Sequence, residues 1–98
     1  MKREEAVRLL RTHAGDVRAL GATALYLFGS TLRDDTTTSS DLDLFMDYDQ
    51  ASRFSLIELV GIKQLLESRL GVAVDLTTRD SLDPLLRERI EASAERIF

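Results

Sequence analysis

The pattern of apolar and polar positions predicts short helices and strands along the chain. Over residues 3–20 the apolar positions recur with a period near 3.6, which predicts one helix, or two short ones with a break at Gly15 and Asp16. The run over 22–28 is apolar apart from one threonine and ends at Gly29, as expected for a buried strand. The chain therefore begins with helical structure that leads into a strand.

The middle of the chain predicts a strand, a helix and another strand. Alternation over 41–48 places acidic residues mainly on one face of a strand and aliphatic residues on the other. An apolar stripe over 56–70 predicts a helix, and Gly71 is suited to the left-handed conformation that follows a helix end. The stretch 72–77 alternates again, with Asp75 on its less apolar face.

The last segment predicts a helix that continues to the C-terminal residue. Asp80 or Ser81 can cap this helix, and Pro84 suits its first turn. The order helix, strand, strand, helix, strand, helix indicates an α/β (α+β) fold. At 98 residues we expect one domain, 1–98, with a single core.

Composition and charge narrow the class of function. The chain has no cysteine, which excludes disulfides, zinc–thiolate sites and thiol nucleophiles. Its N-terminal segment lacks the apolar run of a signal peptide or a membrane span, so we expect a cytoplasmic protein with no membrane association. The net charge of −4 opposes attraction to a phosphate backbone, which disfavours nucleic acid as a substrate.

The most informative motif is Gly29-Ser30 followed, after ten residues, by Asp41 and Asp43. On a strand, these two acids project from the same face with Cα atoms about 6.5–7 Å apart. Because like charges repel, the pair calls for a cation, and Mg²⁺ prefers carboxylate and phosphate oxygens. Gly29 permits a phosphate to approach the backbone closely, and Ser30 adds a hydroxyl donor. We therefore predict metal-assisted nucleotide chemistry.

Two further residues fit this chemistry. Asp75 supplies a third carboxylate from a separate strand, so the acids converge if the strands are neighbours. Such a cluster can hold one ion with a nucleotide triphosphate and a second ion at the attacking hydroxyl. Arg33 can offset charge on the triphosphate, or it can form an ordinary surface ion pair. Taken singly, each part also has a structural explanation, because turns at glycine and solvated acids on strands are common.

The segment YLFGSTLRDDTTTSSDLDLFM, with the later strand that carries Asp75, resembles the minimal nucleotidyltransferase branch of the DNA polymerase β-like nucleotidyltransferase superfamily. The resemblance implies a polymerase β-like fold, in which a mixed sheet of at least three strands has helices packed mainly on one face. It also implies two Mg²⁺ ions held by three carboxylates and transfer of AMP from ATP to a hydroxyl; whether Mn²⁺ replaces Mg²⁺ is left open. The implied metal ligands and catalytic residues are Asp41, Asp43 and Asp75. The matching residues expected to bind the nucleotide are Gly29, Ser30, Arg33 and Ser40.

The same resemblance implies a protein partner. Minimal members are commonly paired with a HEPN-domain toxin, so we expect a hetero-oligomer in which this chain is the antitoxin and adenylylates a tyrosine of the toxin. Larger relatives carry extra domains that grip RNA or aminoglycosides, and we expect no such domain after residue 98. The acceptor is therefore expected to be a partner protein.

One departure from the family pattern leaves other functions open. After Arg33 the family usually has a small residue, whereas this chain has Asp34 and then Asp35, whose charge would oppose triphosphate binding unless both face solvent. A second hypothesis is thus a binding module that neutralises its partner by steric occlusion without catalysis. A third is a nucleotidyltransferase for a small molecule or RNA, with a separate subunit that binds the substrate.

Overall fold

The computed structural model describes residues 2–29 and 42–98. Its helices and strands, in chain order, are α1 (Arg3–Thr12), α2 (Ala14–Ala19), β1 (Ala22–Phe28), β2 (Leu42–Tyr48), α3 (Leu56–Leu70), β3 (Val74–Thr78), a 3₁₀ turn (Arg79–Ser81), α4 (Arg87–Ser93) and β4 (Glu95–Arg96). The three predicted strands and the helix between the second and third are confirmed. In the described parts of the chain, no helix combines the length and apolar character needed to cross a membrane.

The strands form one mixed sheet in the order β3, β2, β1, β4. β2 lies antiparallel to β1 and parallel to β3, and β4 lies antiparallel to β1. A parallel pair requires a crossover connection, which α3 provides between β2 and β3. The predicted mixed sheet is confirmed, and the fourth strand is an addition to it.

Helices α1, α2 and α3 pack with one face of the sheet around a single hydrophobic core. Their fully buried contributions are Ala6, Leu10, Val17, Ile62 and Leu66. The strands contribute a second set of fully buried side chains, which are Leu25, Leu27, Leu42, Leu44 and Met46. The opposite face of the sheet therefore carries the alternate residues of each strand, and the acidic side chains lie there.

Local sequence signals fix both ends of α3. Ser55 and Glu58 form a capping box, in which the Ser55 hydroxyl accepts from the Ile57 amide at 3.3 Å and Glu58 accepts from the Ser55 amide at 2.9 Å. Gly71 ends the helix with a φ of 73°, the left-handed conformation that the sequence predicted. The helix and its bounds agree with the prediction.

The break in the N-terminal helical region lies at His13 and not at Gly15-Asp16. His13 has φ −100° and ψ 12°, outside regular helical geometry, and separates α1 from α2. Gly15 and Asp16 lie inside α2, where a glycine costs about 1 kcal/mol relative to alanine without ending the helix. Of the two alternatives that the sequence left open, the structure has two short helices.

The predicted closing helix is wrong at both ends. The backbone over 84–86 forms a turn, and the Asp83 carboxylate accepts from the Leu85 amide at 2.9 Å, so α4 begins only at Arg87. After Ser93 the chain becomes extended, and the Ile97 amide donates to the Leu25 carbonyl at 2.7 Å. Burial of Ile97 against β1 outweighs the helical propensity of the segment, because a terminal strand covers apolar surface that a continued helix would leave open.

Candidate active site

Gly29, Asp43 and Asp75 come together at one end of the sheet, where β1 ends and where β2 and β3 begin. Asp43 is registered with Phe28 across the antiparallel β1–β2 pair and with Asp75 across the parallel β2–β3 pair. Neighbouring strands lie about 4.8 Å apart, and residues in register share a face of the sheet. The carboxylates of Asp43 and Asp75 therefore project side by side from the face opposite α1, α2 and α3.

Burial of the neighbouring residues confirms this orientation. Val74 and Leu76 on either side of Asp75 are buried in the core, whereas Asp75 itself is exposed. Asp43 is half-buried between the fully buried Leu42 and Leu44. Period-two alternation thus delivers both acids to a surface that solvent and a ligand can reach.

Gly29 lies against the carboxylate of Asp43. Its φ of 85° is in the left-handed region, and a Cβ atom added there would lie 3.1 Å from Cγ and 3.2 Å from Cβ of Asp43. Any residue with a side chain would therefore have both an unfavourable backbone conformation and a steric clash with this acid. The glycine is needed at this position because the backbone turn and the carboxylate occupy adjoining space.

Four of the predicted site residues lie outside the described parts of the chain. They are Ser30, Arg33, Ser40 and Asp41, and the same holds for the unusual Asp34. Their predicted roles in binding metal and nucleotide stay predictions. Asp41 directly precedes the first residue of β2 in the sequence.

The donor set at this end of the sheet suits a hard cation. Two carboxylates from neighbouring strands offer oxygen ligands of the kind that Mg²⁺ prefers, and a cation offsets the repulsion between them. Within 2–29 and 42–98, no group of three or more acidic, histidine or cysteine side chains is arranged to hold a metal ion. The described chain thus supplies two of the three predicted ligands, Asp43 and Asp75.

A third acid on the same face, Asp47, has a partner that the sequence did not reveal. Its carboxylate lies near the end of β2 and forms an ion pair with Arg79. In the parallel β2–β3 pair Met46 is registered with Thr78, the last residue of β3, so Asp47 lies beside Arg79 at the start of the 3₁₀ turn. The sequence does show an acid near the end of one predicted strand and an arginine just after the next. Their contact could not be predicted, because only the parallel pairing of the strands makes them neighbours.

Aromatic side chains fill the space between the acids on this face. Phe45, which lies between Asp43 and Asp47 along β2, stacks on Tyr26 with ring centroids 4.7 Å apart and an interplanar angle of 11°. Phe28 packs against Phe45 at 5.7 Å. Phe45 is completely buried although it lies on the face opposite the helical core. The face is therefore acidic at one end and apolar in the middle.

Comparisons with known proteins identify the family. The nucleotidyltransferase domain family matches residues 10–97. The protein adenylyltransferase MntA of Thermococcus cleftensis is 31% identical over 80 residues, which cover 81% of this chain and 79% of that protein. A solved structure of a candidate minimal nucleotidyltransferase has a TM-score of 0.79 and 31% identity, and the match covers 97% of this chain and 95% of that one.

A more distant structure supports the fold alone. It contains the tri-AMPylated HEPN toxin of Shewanella oneidensis in complex with an MNT antitoxin. One of its chains matches this chain at a TM-score of 0.66 with 21% identity, and the match covers 94% of this chain and 71% of that one. The family match and the paired carboxylates beside a glycine turn agree with one another. This chain belongs to the nucleotidyltransferase domain family and is a nucleotidyltransferase of the minimal, polymerase β-like type, homologous to the MntA protein adenylyltransferases.

Proposed function

We propose that this protein transfers AMP from ATP to a hydroxyl group of a partner protein. The observation that carries the proposal is the registered pair Asp43 and Asp75, with Gly29 packed against Asp43. Both acids lie on the face of the sheet opposite α1, α2 and α3, which we call the open face. A relative that is 31% identical over most of both chains bears the name protein adenylyltransferase. The chemistry would be attack of the acceptor hydroxyl oxygen on the α-phosphorus of ATP, with pyrophosphate as the leaving group.

In this proposal the three acids Asp41, Asp43 and Asp75 hold two Mg²⁺ ions, and Mn²⁺ is an alternative. When bound, the ions would neutralise charge on the phosphates and lower the pKa of the acceptor hydroxyl. Asp75 lies on the edge strand β3, and in this proposal it faces the acceptor. The carboxylates orient the phosphates and the hydroxyl, and the hydroxyl proton passes to a carboxylate or to water.

The nucleotide would lie where β1 gives way to the segment that follows it. Gly29 leaves space for a phosphate close to the backbone. The hydroxyl groups of Ser30 and Ser40 would donate hydrogen bonds to the phosphate oxygens. Arg33 would offset charge on the triphosphate or on the departing pyrophosphate. The roles of Ser30, Arg33 and Ser40 are proposed from the sequence motif, and the position of Gly29 beside Asp43 supports them.

For the acceptor we propose a tyrosine of a HEPN-domain toxin, with this chain as the antitoxin. A related structure holds a tri-AMPylated HEPN toxin with an MNT antitoxin, which supports a toxin of this class as the substrate. Direct contact between the two proteins would bring the acceptor hydroxyl to Asp75. The two chains are then expected to form a hetero-oligomer.

Transfer of label tests the catalytic proposal. After incubation with ATP labelled in the α-phosphate, Mg²⁺ and the HEPN partner, the wild-type protein should label the partner. Asp43→Asn and Asp75→Asn should each lower the labelling rate by more than about 100-fold. A loss of this size exceeds the one expected when the changed residue contacts only a metal ligand and not the metal itself. Asp16→Asn is the matched control, because Asp16 is an exposed acid on α2 and should leave the rate unchanged.

Neutralisation of toxicity separates this function from steric occlusion. If the protein acts by adenylylation, Asp43→Asn should no longer protect cells that express the toxin, although it should still bind the toxin. If occlusion is the mechanism, Asp43→Asn protects as well as wild type does. Labelling that persists in both Asn variants would contradict the proposed site.

A further inference from the structure

Arg79 makes contacts with three other parts of the structure from the open face of the sheet. Its Nε and Nη2 donate to the two carboxylate oxygens of Asp47 at 2.8 and 3.0 Å, and its Nη1 donates to Glu91 of α4. Its backbone carbonyl accepts from Nη2 of Arg87 at 2.8 Å. One arginine therefore joins the end of β3 to β2 and to α4.

The same guanidinium covers the aromatic pair beneath it. Its central carbon lies 4.9 Å from the ring centroid of Tyr26 and 5.1 Å from that of Phe45. A two-pronged carboxylate contact over aromatic rings, with the side chain only 29% exposed, is more ordered than a typical surface ion pair. The hydrogen bonds to Asp47 raise the pKa of Arg79, so the arginine stays charged.

The location of this ion pair matters because β3 is an edge strand. Within the described sheet, its one neighbour is β2. The start of β3 is fastened where the Val74 amide donates to Glu67 at 3.0 Å and where the Leu42 amide donates to the Ala73 carbonyl at 3.0 Å. Its end is fastened by Arg79, and Asp75 lies between the two.

We propose that Arg79 is a positioning residue, which through Asp47 holds β3 against β2 so that Asp75 remains in register with Asp43. The inference rests on the proposed function in one respect: these two acids are taken to share the metal. Arg79 also keeps the Asp47 carboxylate paired, at the opposite end of β2 from Gly29.

An arginine that only stabilises the fold would give a different result from a positioning residue. A purely structural ion pair changes the free energy of unfolding but leaves metal affinity unchanged wherever the variant is folded. A positioning residue changes metal affinity in the folded protein, because loosening the edge strand separates the two ligands. Metal affinity and local exchange of β3 amides are therefore the decisive measurements.

The test compares Arg79→Met, Arg79→Lys and Asp47→Asn with the wild-type protein. Electron paramagnetic resonance of Mn²⁺ measures the bound ion without any turnover. Amide hydrogen exchange measures how often the peptide that contains β3 opens. Both are recorded at a temperature where circular dichroism shows that each variant is folded. Arg79→Met should weaken Mn²⁺ binding by about tenfold and speed exchange over 74–78. Arg79→Lys should recover part of the affinity, because lysine keeps the charge but not the two-pronged contact.

Asp47→Asn keeps the volume of the partner and should reproduce the effect of Arg79→Met. The double variant should bind Mn²⁺ no more weakly than either single variant, because both changes break the same ion pair. Arg11→Met is the matched control: Arg11 fastens the opposite edge of the sheet, where its Nε and Nη2 donate to the carbonyls of Ile97 and Arg96 at 3.2 and 3.3 Å. That variant should keep the wild-type affinity for Mn²⁺.

The outcomes separate this inference from the function on which it rests. If Asp43→Asn loses Mn²⁺ but Arg79→Met and Asp47→Asn bind it as wild type does, the positioning role is wrong and the metal site stands. Equal weakening in Arg11→Met would also overturn the positioning role, because the effect would then be general loosening of the sheet. If Asp43→Asn binds Mn²⁺ as wild type does, the metal site is wrong and the positioning role is wrong with it.

Discussion

Gly29 is where the sequence motif and the described geometry meet most directly. The motif predicted that a glycine turn would lie close to an acid, and the structure has Gly29 against the Asp43 carboxylate. The sequence could identify this glycine because its spacing to the acids was informative. It could not identify Arg79, whose partner Asp47 is distant in the chain and becomes a neighbour only through parallel strand pairing.

A pair of glycine substitutions separates backbone strain from steric clash. Gly29 and Gly71 both have left-handed backbones, with φ of 85° and 73°, but an added Cβ meets Asp43 at Gly29 and meets nothing within 4 Å at Gly71. Each alanine variant should lose about 1 kcal/mol of stability from backbone strain. Only Gly29→Ala should also slow AMP transfer, by about 100-fold, because it displaces Asp43. Equal transfer rates in the two variants would contradict the proposed role of the turn.

Glu67 should make stability depend on pH in the acid range. The Val74 amide, with a smaller contribution from Lys63, holds the pKa of Glu67 below its ordinary value of 4.5. Because the folded pKa is the lower one, the charged form stabilises the protein above about pH 4.5, and this stabilisation is lost as the pH falls through the folded pKa.

Chemical unfolding at several pH values measures this effect in Glu67→Gln. The variant should be less stable than wild type near neutral pH, and the difference should shrink in acid, because protonated Glu67 resembles glutamine. Glu88→Gln, a change at an exposed acid of α4, serves as the control. A difference between Glu67→Gln and wild type that stays constant across the acid range would count against this linkage.

Among the secondary-structure elements, those with strong local signals were predictable and those that depend on tertiary contacts were not. The capping box and Gly71 bound α3, and alternation identified β2 and β3. The closing strand β4 was missed because its sequence has helical character, and only its pairing with β1 makes the extended form favourable. The break at His13 lacks a side-chain cap, so no residue type signalled it.

Two isoleucines test whether the extended segment after α4 contributes to the core. Ile97 is 5% exposed and bonded to β1, whereas Ile57 on α3 is 82% exposed. Ile97→Ala should therefore destabilise the protein by about 2–4 kcal/mol, and Ile57→Ala by less than about 0.5 kcal/mol. Thermal or denaturant unfolding measures both. Similar small losses would indicate that the C-terminal segment does not contribute to the core.

At the scale of the whole molecule, the two faces of the sheet have separate roles. One face is closed by α1, α2 and α3, and its apolar side chains form the core. The other carries Asp43 and Asp75 at the end of the strands and the Arg79 ion pair beyond the aromatic side chains. The resemblance in sequence implied helices mainly on one face, and the alternation over 41–48 separately predicted a strand with one mostly acidic face.

The most direct test of the central claim is the mass of the HEPN partner after incubation with ATP, Mg²⁺ and this protein. The account predicts that wild type and Asp16→Asn each add AMP to a tyrosine of the partner, located by fragment analysis, and that Asp43→Asn and Asp75→Asn leave the partner unmodified in the time that wild type needs to modify it fully. A partner that gains no mass with wild type, or that gains AMP as fast with either site variant as with wild type, would contradict it.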